Sequence, residues 1–320
     1  MGEPTRVVIG GIGSIPGQSM ADKRDYASRK LDYIRTALMH EPRGHRDMFG
    51  SIILDPTDAN ADLGIIFMDG GGYLDMCGHG SIGAVTVALE MGLIKAKGPI
   101  TTITLETPAG LVQASAVIRD QAVVSVSIKN VPSFLFQRAV PVTIPNHGTV
   151  YADIAFGGNF FALVDAAAVG LKIESVNADR LSTLGMQILA ILKEKVEIIH
   201  PLSKKQQNVN LVEFCGPATV KGAHSRNVVV FGNGQIDRSP CGTGTCARMA
   251  ALHADGELQL GEHFIHESII GSTFQGKLLE ERQLGSITAV IPEITTRAFI
   301  TGIQQFIIDP ADPLKHGFLL

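Results

Sequence analysis

Two segments of this chain open alike and close alike. CGHGSIGAVTVALEMG runs from Cys77 to Gly92, and CGTGTCARMAALHADG runs from Cys241 to Gly256. Both begin C-G-x-G-[ST], and the second starts 164 positions after the first, about half of the 320 residues. Each is followed by an alternating apolar stretch broken at glycine, ITTITLETPAGLVQASAVI after the first and FIHESIIGSTFQGKLLEE after the second. Period-two alternation with a glycine break predicts a β-hairpin in both places. The sequence is thereby restricted to two homologous halves, each a sheet with a helix entered through a cysteine-bearing turn. Length agrees, because a chain of this size outgrows one comfortable core and suggests about two domains.

The helices are informative in themselves. From Ile82 to Met91 the residues are apolar or small on nearly every side, the pattern of a helix surrounded by protein, running through the middle of a curled sheet. Gly92 and Gly256 fit the left-handed position that ends such helices. Gly78, Gly80, Gly242 and Gly244 leave the backbone N–H groups of each first turn unscreened, as an anion site requires. Each half therefore offers a thiol beside an anion cradle. Elsewhere, VNADRLSTLGMQILAILKEKV predicts an amphipathic helix starting near Asn177 or Asp179, with a core-facing stripe. VEIIHPL, VNLVEFC, RNVVVFG and SITAVIP read as short strands, and PGQ, PNHG and FGNGQIDRSP as loops. A proline interrupts strand patterning in KNVPSFLF, which places the domain change around residue 130.

Composition excludes several classes of function. At 45% hydrophobic and 18% charged the chain is a packed globular protein, and 27 basic against 31 acidic residues favours neither nucleic acid nor an anionic membrane. The N-terminus lacks a basic region followed by an apolar signal core, and no apolar run reaches the roughly 20 residues of a membrane span. A soluble, cytoplasmic protein is expected. Four cysteines, Cys77, Cys215, Cys241 and Cys246, are too few for a disulfide scaffold and are expected as free thiols. Cys77 and His79 look like half a metal site, but no matching C-x-x-C or H-x-x-x-H pair lies nearby. Cys241 and Cys246 lack redox C-x-x-C spacing. In GGIGSIPG, Pro16 stands where a dinucleotide loop needs its third glycine.

Two thiols, one from each half at a helix N-terminus, suit proton transfer at carbon. A thiol's reference pKa of about 8.5 falls beside a helix N-terminus, so near neutral pH one can be thiolate and the other thiol. Such a pair on opposite faces of a planar carbanion inverts a stereocentre, and the anion cradles hold the substrate carboxylate. The residues alone also allow a thiol redox or amino-acid-binding protein on the same frame.

MCGHGSIGAVT and DRSPCGTGT, together with EPRGHRDMFG, IIFMDGGGYLDMCGH, DIAFGGNFFA and the ending DPLKHGF, resemble the proline racemases of the wider diaminopimelate-epimerase-like superfamily over essentially the whole chain. The resemblance implies an α+β fold of two pseudo-symmetric domains, each a curled, mostly antiparallel sheet around a central helix, with the active site between them. It implies that residues 1–130 with 300–320 form the first half and 131–299 the second. It implies a homodimeric amino-acid racemase acting on a small molecule without a cofactor, which agrees with the absence of any motif marking a Schiff-base lysine. Carried over by position, Cys77 and Cys241 match the two catalytic bases. Gly78, His79, Gly242 and Thr243 match the positions whose amides hold the carboxylate, and His79 and Asp237 the pair flanking the substrate amine. Read alone, Asp237 before RSP is a solvated turn or cap.

Substrate follows from details of the same match. Hydroxyproline dehydratases carry Thr or Ser for one cysteine, so two cysteines imply inversion rather than elimination. 4-Hydroxyproline epimerases carry smaller or more polar residues at two pocket positions that match Phe49 and Phe231 here. An apolar pocket leaves a hydroxyl without a partner, at a cost of roughly 1–3 kcal/mol, so unsubstituted proline is expected over 4-hydroxyproline. Family members also carry a strand running into an Asp-x-His-Thr-x-Gly-Glu-Pro type of motif, of which this sequence holds Gly2-Glu3-Pro4. Cys246 stands where a serine is common and is expected to be a small buried helix residue.

Overall fold

The computed structural model describes residues 1–202 and 204–319, in two units. The first comprises Glu3–Ile128 with Thr296–Leu320, the second Lys129–Thr295 with Met1–Gly2. Met1 and Gly2 thus group with the second unit, at the N-terminus of the chain. There the Ser272 hydroxyl donates to the Met1 carbonyl, and a Cβ at Gly2 would lie 2.6 Å from Ser272 Oγ. Among the described residues no helix is long and apolar enough to cross a membrane.

In the first unit, strands β1 (Arg6–Val8), β2 (Phe49–Leu54), β3 (Leu63–Asp69), β4 (Tyr73–Leu74), β5 (Ile100–Thr107), β6 (Gly110–Arg119) and β7 (Ala122–Lys129) accompany helices α1 (Met20–Lys30), α2 (Asp32–Met39) and α3 (Gly78–Glu90). The sheet order is β1-β2-β3-β5-β6-β7, with β4 also on β3. β1–β2 and β3–β5 are parallel, and β2–β3, β5–β6 and β6–β7 antiparallel. Every residue of β3 is buried because both its faces are covered. Ile65 and Phe67 join Ile82, Val85 and Ala88 of α3, while Ile66 and Met68 pack among Met20, Ala27, Ile34 and Leu38 of the other two helices. The sequence reading named no helix over 20–39. In α1 only Met20 and Ala27 are buried, so a mostly charged stretch carries almost no apolar period.

The second unit holds β8 (Ser133–Ile144), β9 (Gly148–Phe156), β10 (Phe160–Asp165), β11 (Ile198–Ile199), β12 (Gln206–Gln207), β13 (Leu211–Gly216), β14 (Ser225–Phe231), β15 (Gln235–Asp237), β16 (His263–Ser268), β17 (Thr273–Leu284) and β18 (Ile287–Thr296), with helices α4 (Ala178–Lys195) and α5 (Gly242–Ala254). The order β8-β9-β10-β13-β14-β16-β17-β18 closes on itself, since Ala289 and Val290 pair with Phe134 and Ser133. The barrel encloses α5: Met249 and Ala250 meet Phe264, Phe274 and Leu278, and Ala247 and Ala251 meet Phe161 and Val229. Helix α4 lies on the other face of the sheet, its Leu181, Leu184 and Ile188 against Val212, Phe214, Val228 and Val230. FGNGQIDRSP, expected as a loop, contains β15, which pairs with β14.

The two units repeat one topology. β1-β2-β3-β4-α3-β5-β6-β7 corresponds to β10-β13-β14-β15-α5-β16-β17-β18, with parallel pairs at matching places. These are the two homologous halves the cysteine repeat implied, in the α+β, mostly antiparallel architecture the family resemblance implied. Gly92 and Gly256, at φ +73° and +76°, follow the two central helices in the left-handed conformation expected of them.

A matched pair of carboxylates ties each sheet to the loop after its β2-type strand. Glu106 accepts from Thr57 N, Asp58 N and the Thr57 hydroxyl, and Glu267 from Thr219 N, Val220 N and the Thr219 hydroxyl. Burial opposes ionisation of both, but the hydroxyl and backbone donors outweigh it and hold both below the usual carboxylate range. A depressed folded-state pKa contributes stability that is present at neutral pH and lost as pH falls through that depressed value. The double variant Glu106→Gln, Glu267→Gln should therefore show its largest loss of urea midpoint at neutral pH, shrinking towards zero in acid. A deficit independent of pH would contradict this linkage.

Candidate active site

Each central helix begins at a cysteine, and the two beginnings are built differently. In the first unit Cys77 caps α3 in an extended conformation, φ −148°, and its carbonyl accepts from Ser81 N and the Ser81 hydroxyl. The half-buried thiol lies 3.3 Å from Nδ1 of His79, whose ring stands edge-on to Phe49 at 4.4 Å. A Cβ at Gly80 would fall 2.7 Å from the Phe49 ring, so this glycine is required by what packs behind the turn. The preceding turn is held by Asp69, which accepts from Gly71 N and Gly72 N, and by Arg35, which donates to the Asp69 and Gly70 carbonyls. Phe49, Cys77, Gly78 and His79 are thus brought together at one end of α3.

In the second unit the approach is a relay of short polar links. Asp237 ends β15 and is buried, not the solvated turn its sequence context suggests. Its Oδ1 accepts from Ser239 N at 2.8 Å and from the Ser239 hydroxyl at 2.7 Å, and Ser239 Oγ in turn accepts from Cys241 N at 3.1 Å. Cys241 caps α5 at φ +56°, ψ +116°, a region that a residue with a side chain occupies only when its surroundings hold it there. The Pro240 carbonyl supplies that hold, accepting from the Thr245 hydroxyl and from Asn227 Nδ2. Cys241 Sγ lies 3.8 Å from the Thr243 hydroxyl. The Phe231 ring, half-buried, packs against the cluster containing Cys241, Ala247 and Val229. Phe231, Asp237, Cys241, Gly242 and Thr243 are thereby gathered at the start of α5.

The electrostatics of Cys241 correct one expectation. A helix N-terminus was expected to lower its thiol pKa, yet burial pushes it well above the ordinary value, and the charges of Asp237 and Glu213 push in the same direction. The Gly244 N–H and the Thr243 hydroxyl offset only part of this. The thiol is 6% exposed, so desolvation of the thiolate dominates the helix-end field. None of the four cysteines is in a disulfide, and Cys246 is fully buried on α5, its thiol raised chiefly by burial. Sequence reading missed Ser239 as the link to Cys241. It also placed Glu213 in a strand with a β-branched core, although a lone acid in VNLVEFC was the available signal.

Comparison with known proteins identifies the family. The family described as Proline racemase matches residues 1–319. A proline racemase of Clostridioides difficile is 52% identical over 319 residues, covering 100% of this chain and 95% of its own length. A 4-hydroxyproline 2-epimerase of Streptosporangium roseum is 44% identical, covering 100% and 96%. Among solved structures, a hydroxyproline epimerase from Agrobacterium vitis, with bound trans-4-hydroxy-L-proline, superposes with a TM-score of 0.89 at 37% identity, covering 99% of this chain and 92% of that one. A match along the whole chain, on a frame that presents a cysteine at the start of the central helix in each half, means that this chain belongs to the proline racemase family.

Proposed function

We propose that this chain interconverts L- and D-proline without a cofactor, using Cys77 and Cys241 as its two bases. The observation that carries the reading is the placement of the two cysteines at equivalent helix starts, in a chain 52% identical to a proline racemase. One sulfur, as thiolate, takes the Cα proton: its S–H bond forms as the C–H bond breaks. The electron pair left on Cα spreads into the carboxylate. The other sulfur, as thiol, gives its proton to the opposite face, so its S–H bond breaks, the new C–H bond forms, and the negative charge ends on the second sulfur.

Backbone N–H groups of Gly78, His79, Gly242 and Thr243 hold the carboxylate and stabilise the charge spreading into it. His79 and Asp237 flank the amine, and Phe49 and Phe231 close over the ring. Retention of both cysteines favours inversion over elimination, and two phenylalanines favour proline over 4-hydroxyproline. The 4-hydroxyproline 2-epimerase reading is kept as the alternative because of the 44% relative. The same reading makes the enzyme a cytoplasmic homodimer acting on a small molecule.

Chiral chromatography of products from L-proline and from trans-4-hydroxy-L-proline, with no cofactor added, tests the assignment. D-proline should accumulate faster than the hydroxyproline epimer, and Phe231→Ser should raise the hydroxyproline-to-proline activity ratio by about tenfold. A wild-type preference for hydroxyproline, or a ratio unmoved by the variant, would transfer the assignment to the epimerase.

A further inference from the structure

Beneath α5 lies a buried polar cluster that the mechanism above does not use. Strand alternation turns Glu213 of β13, Asn227 of β14 and His266 of β16 inward, each with no exposed surface. Glu213 Oε1 accepts from Asn227 Nδ2 at 2.8 Å and lies 3.7 Å from His266 Nε2, while His266 Nδ1 is 3.0 Å from the Thr245 hydroxyl. The other oxygen, Glu213 Oε2, has no hydrogen-bond partner. It is aimed at the space behind the thiol: a Cβ at Gly244 would lie 2.7 Å from Oε2 and 3.3 Å from Cys241 Sγ.

The pseudo-symmetry shows what the fold itself requires here. Parallel pairing joins Gly64 to Glu106 in the first unit and Arg226 to Glu267 in the second. With the two glutamates matched, Asn227 corresponds to Ile65 and His266 to Leu105. The antiparallel registers, Ser51 with Phe67 and Glu213 with Val229, make Glu213 correspond to Ser51. Counting from the cysteines, Arg248 corresponds to Ala84. One half therefore completes the same frame with Ser51, Ile65, Leu105 and Ala84, and the other places a carboxylate, an amide, an imidazole and a guanidinium there. A buried carboxylate costs stability, so its presence in only one half points to the thiol rather than to folding.

We propose that Glu213 is a positioning residue that acts through Cys241, its charge disfavouring thiolate there and keeping the resting proton on Cys241, which leaves Cys77 as the resting base. The proposal rests on the two-thiol reading above. Asp237 of β15 adds a second negative charge acting on the same thiol. Asn227 of β14 and Arg248 of α5 both favour the Glu213 charge, Asp237 opposes it, and His266 of β16, lowered to about 3 by burial and by Arg248, is neutral. Cys215 of β13 and Cys246 of α5, both held as thiols by burial, also feel the Glu213 charge. Burial raises Glu213 itself to about 7, so the bias strengthens as pH rises through that value.

The test measures iodoacetamide reaction at Cys77 and at Cys241 separately, by peptide mass spectrometry across pH, with each curve scaled to its own plateau. It uses the full chain without substrate. Glu213→Gln keeps an acceptor for Asn227 and removes the charge, and it should lower the Cys241 midpoint by about one pH unit while the Cys77 midpoint stays in place. Glu213→Asp, which withdraws the charge by one methylene, should move the Cys241 midpoint in the same direction by less. An unmoved Cys241 midpoint in both variants overturns the proposal, as does an equal movement of Cys77, which would mark a merely structural role. Because alkylation needs no turnover, a wild-type enzyme that fails to racemise proline would count against the functional reading alone.

Discussion

Cys77→Ser and Cys241→Ser should each lower proline racemisation by about three orders of magnitude or more while leaving the circular dichroism spectrum unchanged. A hydroxyl ionises so far above neutral pH that it neither accepts the Cα proton nor carries the charge left behind when the other sulfur has reacted. In the proposed two-base mechanism neither thiol can replace its partner, because each would serve one face of Cα. Structure should survive, since Cys77 contributes to its turn through its carbonyl and Cys241 is held through its backbone N–H and carbonyl. Deuterium uptake at Cα in heavy water, followed by NMR, separates the two steps. A serine variant that still racemises at more than a few per cent of wild type would remove that cysteine from the mechanism. Cys246→Ser, which alters only a buried helix residue away from either turn, should keep most of its activity.

Gly157→Ala should cost about 3 kcal/mol or more and most of the activity, an unusually large effect for one methyl group. A Cβ there would lie 2.1 Å from the Thr243 carbonyl oxygen and 2.5 Å from Ala247 N. Both are backbone atoms of the first turns of α5, so no side-chain rotation relieves the clash. Either the turn after β9 withdraws or the start of α5 shifts, and the latter moves Gly242 and Thr243 together with the Cys241 thiol. Gly170→Ala is the control: the same side chain meets nothing within 4 Å, and only the cost of a left-handed residue at φ +69° remains, about 1 kcal/mol. Urea midpoints of the two variants, with activity measured on the folded fraction, compare the effects. Equal midpoints would mean that the close approach of this turn to α5 is unimportant.

Several features were legible in the sequence because they are local or periodic. The paired C-G-x-G-[ST] turns, the glycines that end α3 and α5, the hairpin after each helix and the duplication of the frame depend on short spacings, which a chain displays directly. The environment of each thiol was another matter. A helix N-terminus is a local feature and suggested a lowered pKa at Cys241. The opposite direction comes from burial and from Asp237 and Glu213, and Glu213 reaches the thiol only because β13 lies under α5. Asp237 read as a solvated turn until β15 paired with β14 and buried it. The closure of the second barrel joins Ser133 and Phe134 to Val290 and Ala289, which are far apart in the chain, and no local pattern announces such a pairing. The sequence by itself determined that two matched cysteine turns, at Cys77 and Cys241, each open a central helix. Only the tertiary structure decided that Cys241 lies buried beside Asp237 and Glu213, because desolvation and through-space charge depend on what is packed behind a residue and not on its neighbours in the chain.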